Sequence, residues 1–257
     1  MQRINNPRAI VLLLLLIVAL AVVGYLLKDP EEEQANIAEE IAPCVLFTLG
    51  PLQVTSTVVN TWVMILLIST AVIIIGRFFK VRPGPVQSAL EWLVEAIKEL
   101  IRKNVGIDDP SIFLPIIGTL AVFVGAANLI GLLPGLQCPT PDINTPLAVA
   151  LIVFFSVHYY GIRTRGLLRY LKHYVEPIFL MLPIEIASEI ARTFSLTFRL
   201  FGNILGEEII ISILFIVVPF VVPVPMQLFS IFTGLLQAYI FTLLTCVYIG
   251  GAIKAHQ

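Results

Sequence analysis

Charge is what this chain has least of: of 257 residues only 13% are Asp, Glu, Lys or Arg, 58% are apolar, and the mean hydropathy is +0.96. Soluble domains carry about 25% charged residues, so a water-exposed globular fold is excluded. The three cysteines are far apart, and so are the three histidines, His158, His173 and His256. Neither set has the spacing of a metal cluster, and none of the cysteines stands in a redox motif. Glycine-rich phosphate loops and Ser/His/Asp or Cys/His sets are missing as well, which argues against catalysis by this chain. There are no series of short alternating strands, which excludes a membrane barrel. Internal repeats, low-complexity tracts and soluble domains are absent too. The missing repeat weighs against a secondary transporter built from two similar halves.

What the chain has is apolar sequence in long runs. Residues 9–27, 58–76, 112–134 and 146–162 approach or exceed the roughly 20 residues that cross a bilayer, and two longer runs follow Glu176. The expected fold class is all-α: a polytopic membrane protein of about six hydrophobic helices. Basic residues set its orientation. Arg3, Arg8, Arg77, Lys80, Arg82, Lys98, Arg102, Lys103, Arg163, Arg165, Arg169, Lys172 and Lys254 fall on one side, Lys28 alone on the other, and Arg192 and Arg199 within the membrane. The positive-inside rule then makes both termini cytoplasmic and places the acidic cluster Asp29, Glu31, Glu32, Glu33, Glu39 and Glu40 outside. The first run also fits a signal peptide, but no small-x-small cleavage site follows it. A retained anchor helix is the reading adopted; cleavage would leave five passes. The chain divides into residues 1–50, an anchor helix with an acidic external loop, and residues 51–257.

Residues 86–105 carry Leu90, Leu93, Val94, Ile97, Leu100 and Ile101 at helical spacing, with Glu91, Glu95, Lys98, Glu99 and Arg102 on the other side. This reads as an amphipathic helix, lying on the cytoplasmic membrane surface or packed on a soluble partner. Asp142 opens the fourth pass, where capping accounts for it. From 184 to 218 no proline interrupts the chain, so a helix of about 52 Å is expected, and 226–256 adds one of about 46 Å. In a hydrocarbon core about 30 Å thick, these form a long, steeply tilted C-terminal helical hairpin.

Within the first of these helices a polar series, Glu185, Glu189, Arg192, Ser195, Arg199, Asn203 and Glu207, recurs at close to the α-helical period. Ser188 lies within about 20° of the Arg199 direction, whereas Glu208 lies about 180° away and is expected to face the partner helix. Gly202 and Gly206 leave room near Arg199 for another backbone, or for packing within this chain. Holding the Arg199 guanidinium at bilayer depth costs from about 3 to over 10 kcal/mol, so it needs an anionic partner or an ion path. The following helix offers Gln227, Ser230, Thr233 and Gln237, and Gln237 can hydrogen-bond Arg199 at a similar depth. His158 reads as an interfacial residue.

At Arg199-Leu-Phe-Gly-Asn203 the chain resembles the a subunit of the membrane sector of rotary F-type ATP synthases. The likeness extends to Ala127-Asn-Leu-Ile-Gly-Leu-Leu-Pro134, Pro139-Thr-Pro-Asp-Ile-Asn-Thr145 and Leu236-Gln-Ala-Tyr-Ile-Phe241, in that family's order. The resemblance implies that residues 51–257 form an ion-translocating stator, a non-catalytic subunit in the bacterial plasma (inner) membrane. It implies a c-subunit ring, b-type peripheral stalk subunits, the remaining F-type subunits and the lipid bilayer as partners. No nucleic acid and no cofactor are implied. Arg199 matches the family's essential arginine and Gln237 its companion. Asn203 and Glu208 match the external half-channel, while Glu185, Ser188 and Arg192 match the cytoplasmic one. Ser230 stands where some members carry histidine, and Glu207 or Glu208 is expected to compensate. The carried ion is H⁺ or Na⁺; a secondary transporter or stand-alone channel is the alternative. Apart from the resemblance, the topology puts Cys44 and Cys138 on the same external side, where a disulfide between them is permitted.

Overall fold

The computed structural model describes residues 45–49, 52–77, 79, 84–106, 109–131, 142–168, 170, 181–217 and 223–254. The first hydrophobic run, the pairing of Cys44 with Cys138 and residues 218–222 of the turn between the two long helices lie outside them; a turn expected to reach Pro225 ends sooner, since the last helix is already formed at Pro223. The described chain begins with an antiparallel hairpin, β1 (Val45–Leu49) and β2 (Leu52–Thr55), irregular between Val45 and Phe47. The sequence gives no warning of it. It straddles the division drawn at 50/51 and runs directly into the first helix.

Six α-helices follow among the described residues: α1 (Ser56–Arg77), α2 (Pro85–Val105), α3 (Leu114–Ile130), α4 (Asn144–Arg165), α5 (Met181–Val217) and α6 (Pro223–Lys254). α1, α3, α4, α5 and α6 correspond to the expected second to sixth passes. α1, α4 and α6 are long and apolar enough to cross a bilayer, and α3 is a shorter apolar helix. α5 differs because its charged stripe interrupts the apolar run. It is continuous over 37 residues and α6 over 32, about 55 and 48 Å. Both exceed the roughly 30 Å hydrocarbon core, so they cross it inclined or project beyond it.

Local chemistry sets the ends. α2 starts at Pro85, where a missing N–H costs nothing, and stops at Gly106, whose φ of 73° lets its N–H bond the Arg102 carbonyl. Asp109 accepts from the Ser111 amide (3.0 Å) and hydroxyl (2.6 Å) and so starts the 3₁₀ turn Pro110–Ile112 that leads into α3. On α2, Glu99 pairs with Lys103 at 2.7 Å and Glu95 with Arg102 at 3.3 Å. The Lys103 ammonium bonded to Glu99 draws that carboxyl below its ordinary pKa.

The bundle is antiparallel, and three contacts show which ends lie together. The Thr57 hydroxyl donates to buried Asp142 at 2.7 Å, joining the start of α1 to the start of α4. The Tyr160 hydroxyl donates to the Ile112 carbonyl at 3.0 Å, joining the far half of α4 to the entry of α3. α2 lies at that same end, where a Cβ on Gly250 of α6 would meet the Asn104 carbonyl oxygen at 2.7 Å. Arg77, Arg163, Arg165 and Lys254 all occupy helix ends that the charge rule assigns to the cytoplasm.

Three apolar layers fill the interior. Ile97, Ile101, Val105, Phe113, Ile117, Tyr160, Cys246 and Ile249 pack at the cytoplasmic end. Leu120, Val124, Val149, Ala150, Val153, Leu196, Leu200 and Phe241 fill the middle, and Met64, Ala127 and Ile130 the external end. α2 therefore rests on its own chain through Ile97, Ile101 and Val105, while Trp92, Leu93 and Val94 stay exposed. The choice between membrane surface and soluble partner thus concerns only half of the stripe, the other half being covered internally. α6 packs mainly on α3, and also on α2 and α4, whereas α5 packs mainly on α4. The two long helices are neighbours, but neither is the other's main support.

Candidate functional site

α5 divides into two faces. Leu196, Thr197, Leu200 and Ile204 are buried against the bundle, and Thr193 and Thr197 return their hydroxyls to the carbonyls of Glu189 and Thr193. Arg192, Ser195, Phe198, Arg199 and Gly202 are exposed. Phe194 and Phe198, both more than half exposed, stack beside this face with centroids 6.2 Å apart. Among the described residues no hydrogen bond or ion pair holds Arg199. A Cβ on Gly202 or Gly206 would meet nothing within 4 Å. Among the described residues nothing packs against the two glycines, and their gap opens outward.

Gln237 and Arg199 flank the same layer, since Leu196, Leu200 and Phe241 share one cluster. The expected hydrogen bond between them is not made. Gln237 is 4% exposed and turned into the bundle, and its Nε2 has no partner. On the α3–α6 seam, Asn128 donates through Nδ2 to the Gly234 carbonyl at 3.2 Å, and its buried Oδ1 has no partner. A donor and an acceptor thus stand unsatisfied along one seam, a costly arrangement unless it is used.

Of the two acids beyond Arg199, Glu207 is the one beside the polar groups of α6. Asn203, Ser230 and Thr233 are the polar groups nearest the Glu207 carboxylate, whose Oε1 is buried without a partner. The α6-facing position thus belongs to Glu207, whereas Glu208 is half-buried. The reason is angular: the bundle face centres near Leu200, about 100° from Arg199, and Glu207 lies at about 80°. Glu208 is a further 100° round.

Towards the cytoplasm, Glu185 and Ser188 are half-buried, and the Arg192 guanidinium lies 5.8 Å from the Tyr248 ring centroid. His158, read from sequence as interfacial, is instead engaged: its Nε2 is 3.1 Å from Glu189 Oε2 and its Nδ1 2.9 Å from the Phe154 carbonyl. Sequence reasoning missed this pair because its members lie on different helices. The available signal was Glu189 itself, an acid in the polar series of an apolar helix.

The profile of the ATP synthase A chain family matches residues 58–250. The chain belongs to that family. It is 46% identical over 213 residues to ATP synthase subunit a 2 of Bradyrhizobium sp. (strain BTAi1), covering 81% of this chain and 93% of the relative. It is 42% identical over 210 residues to ATP synthase subunit a 2 of Pelobacter propionicus, covering 82% and 92%. With ATP synthase subunit a of Moorella thermoacetica it shares 35% over 216 residues, covering 84% and 99%. As an ATP synthase A chain it is a non-catalytic, multi-pass subunit of the membrane sector in the bacterial inner membrane. It works together with other ATP synthase subunits.

Proposed function

We propose that this A chain is the ion-translocating stator, with two half-channels that load and unload H⁺ or Na⁺ on carboxylates of a c-subunit ring. The observation that carries the reading is Arg199, a permanent cation midway along α5, facing outward with no partner among the described residues and with open space at Gly202 and Gly206. An unpaired guanidinium at that depth calls for an anion from elsewhere. A ring carboxylate passing Arg199 is favoured in its charged form, because a nearby cation lowers its pKa, and so it gives up its ion. Away from Arg199 the carboxylate must be neutralised before it faces lipid. Glu207, Glu208 and Asn203 supply polar groups for the external half-channel, and Glu185, Ser188 and Arg192 for the cytoplasmic one. Gln237 lends an amide at the level of Arg199. Each ion contributes about 2.3 kcal/mol per 100 mV of membrane potential. A b-type peripheral stalk holds the stator against rotation.

The test is ATP-driven ion uptake by inverted vesicles carrying the assembled complex. R199A is expected to assemble and to abolish coupled uptake. R199K should fail as well, because a compact ammonium lacks the planar fork. Normal uptake by R199A overturns the reading.

A further inference from the structure

We propose that His158 and Glu189 form a proton-exchanging pair through which protons pass between the cytoplasm and the Arg192 level of α5. The inference deepens the stator reading and rests on it. The imidazole makes two contacts. Nδ1 faces the Phe154 carbonyl at 2.9 Å, and a carbonyl only accepts, so Nδ1 carries a hydrogen. Nε2 faces a carboxylate oxygen at 3.1 Å, and that contact is a hydrogen bond only when one further proton lies between them. The proton sits on the ring, giving an ion pair, or on Glu189, giving a neutral pair. Losing it leaves two acceptors face to face and breaks the tie between α4 and α5.

The surroundings fit exchange better than a buried clamp. The side chains are 27% and 14% exposed, so the pair is not sealed inside the bundle. Beside it lies a cavity of about 20 Å³, enough for about one water, lined by His158, Glu189, Arg192, Thr193 and Tyr248. Facing His158 are Glu189 and Arg192 from α5, Tyr248 from α6, and Tyr170 beyond α4, its ring centroid 6.0 Å away. During ATP-driven pumping, water on the cytoplasmic side gives one proton to the pair. The pair then gives one proton to water beyond Arg192, bound for a ring carboxylate. During synthesis the same transfers run in reverse.

The experiment uses the assembled complex in inverted vesicles, whose cytoplasmic face is outward, with ATP-driven uptake measured from pH 5.5 to about 8.5, a range centred on histidine titration. H158Q keeps the size and a donor towards Glu189 but takes no proton; E189Q removes the acid. Each is expected to assemble, to lower uptake about tenfold or more, and to shift or flatten its dependence on cytoplasmic pH. A parental pH profile in both variants would overturn the proposal and leave the pair a helix clamp. Failure of both to assemble would also overturn it, since a pair that only exchanges protons tolerates an amide of the same size. R199A is run alongside: normal uptake by R199A overturns the stator reading, whereas an inert R199A beside parental H158Q and E189Q profiles overturns only this inference.

Discussion

Gly250 and Gly251 are adjacent in α6 and answer the same substitution differently. A Cβ on Gly250 would sit 2.7 Å from the Asn104 carbonyl oxygen and 3.1 Å from Val105 Cα, whereas one on Gly251 meets nothing within 4 Å. Ordinary contact begins at 3.4 Å, so G250A forces α2 and α6 apart by several tenths of an ångström. Forced overpacking of this kind costs about 1–3 kcal/mol. Replacing a helical glycine by alanine also returns up to about 1 kcal/mol of propensity, but equally at both positions, so it cancels in the comparison. G250A should therefore be about 1–3 kcal/mol less stable than G251A. At about 2–4 °C per kcal/mol for a chain of this size, the melting midpoints should differ by roughly 2–12 °C. Cys246 provides the assay, because it is fully buried in the same layer as Val105 and Ile249. Heating the detergent-extracted complex with a thiol reagent and following labelling of the Cys246 peptide reports separation of α6 from α2. Coincident midpoints for the two variants would refute the close approach.

Two further perturbations test other parts of the molecule. G206L should leave insertion and melting of the chain near the parent's, since a Cβ there meets nothing within 4 Å among the described residues, yet prevent ring subunits from co-purifying; normal co-purification would remove this face from the ring contact. T57V deletes the 2.7 Å donor to buried Asp142 and should cost about 1.5–3 kcal/mol, the range for hydrogen bonds to charged groups, read as a lowered melting midpoint.

The membrane passes were legible because a bilayer demands long uninterrupted apolar runs, and α1, α3 and α4 fall within a few residues of where those runs lie. The direction of Gly202 and Gly206 was legible from helical angle alone. The β-hairpin was not, because Val45–Leu49 and Leu52–Thr55 are short apolar runs without a period of their own. Assigning the α6-facing acid required knowing where the bundle face of α5 centres, which depends on α4. For the same reason α2 looked like a surface helix: its stripe is visible in sequence, but the chain that covers half of it is not. His158 and Glu189 meet only through the packing of α4 on α5, which no spacing within either helix encodes.

The separate supports of α5 and α6 have a mechanical consequence. A sideways push on the outward face of α5 passes through Leu196 and Leu200 into Val149, Ala150 and Val153 of α4, and from there into the middle layer. α6 has its main support elsewhere, on α3, with further contacts to α2 and α4, and its Phe241 belongs to the same middle layer. The polar groups of α6 thus stand on a helix whose chief support is not the one that takes the load first. Force applied at Arg199 therefore reaches the row Ser230, Thr233 and Gln237 mainly at second hand, through α4 and the middle layer that Phe241 shares.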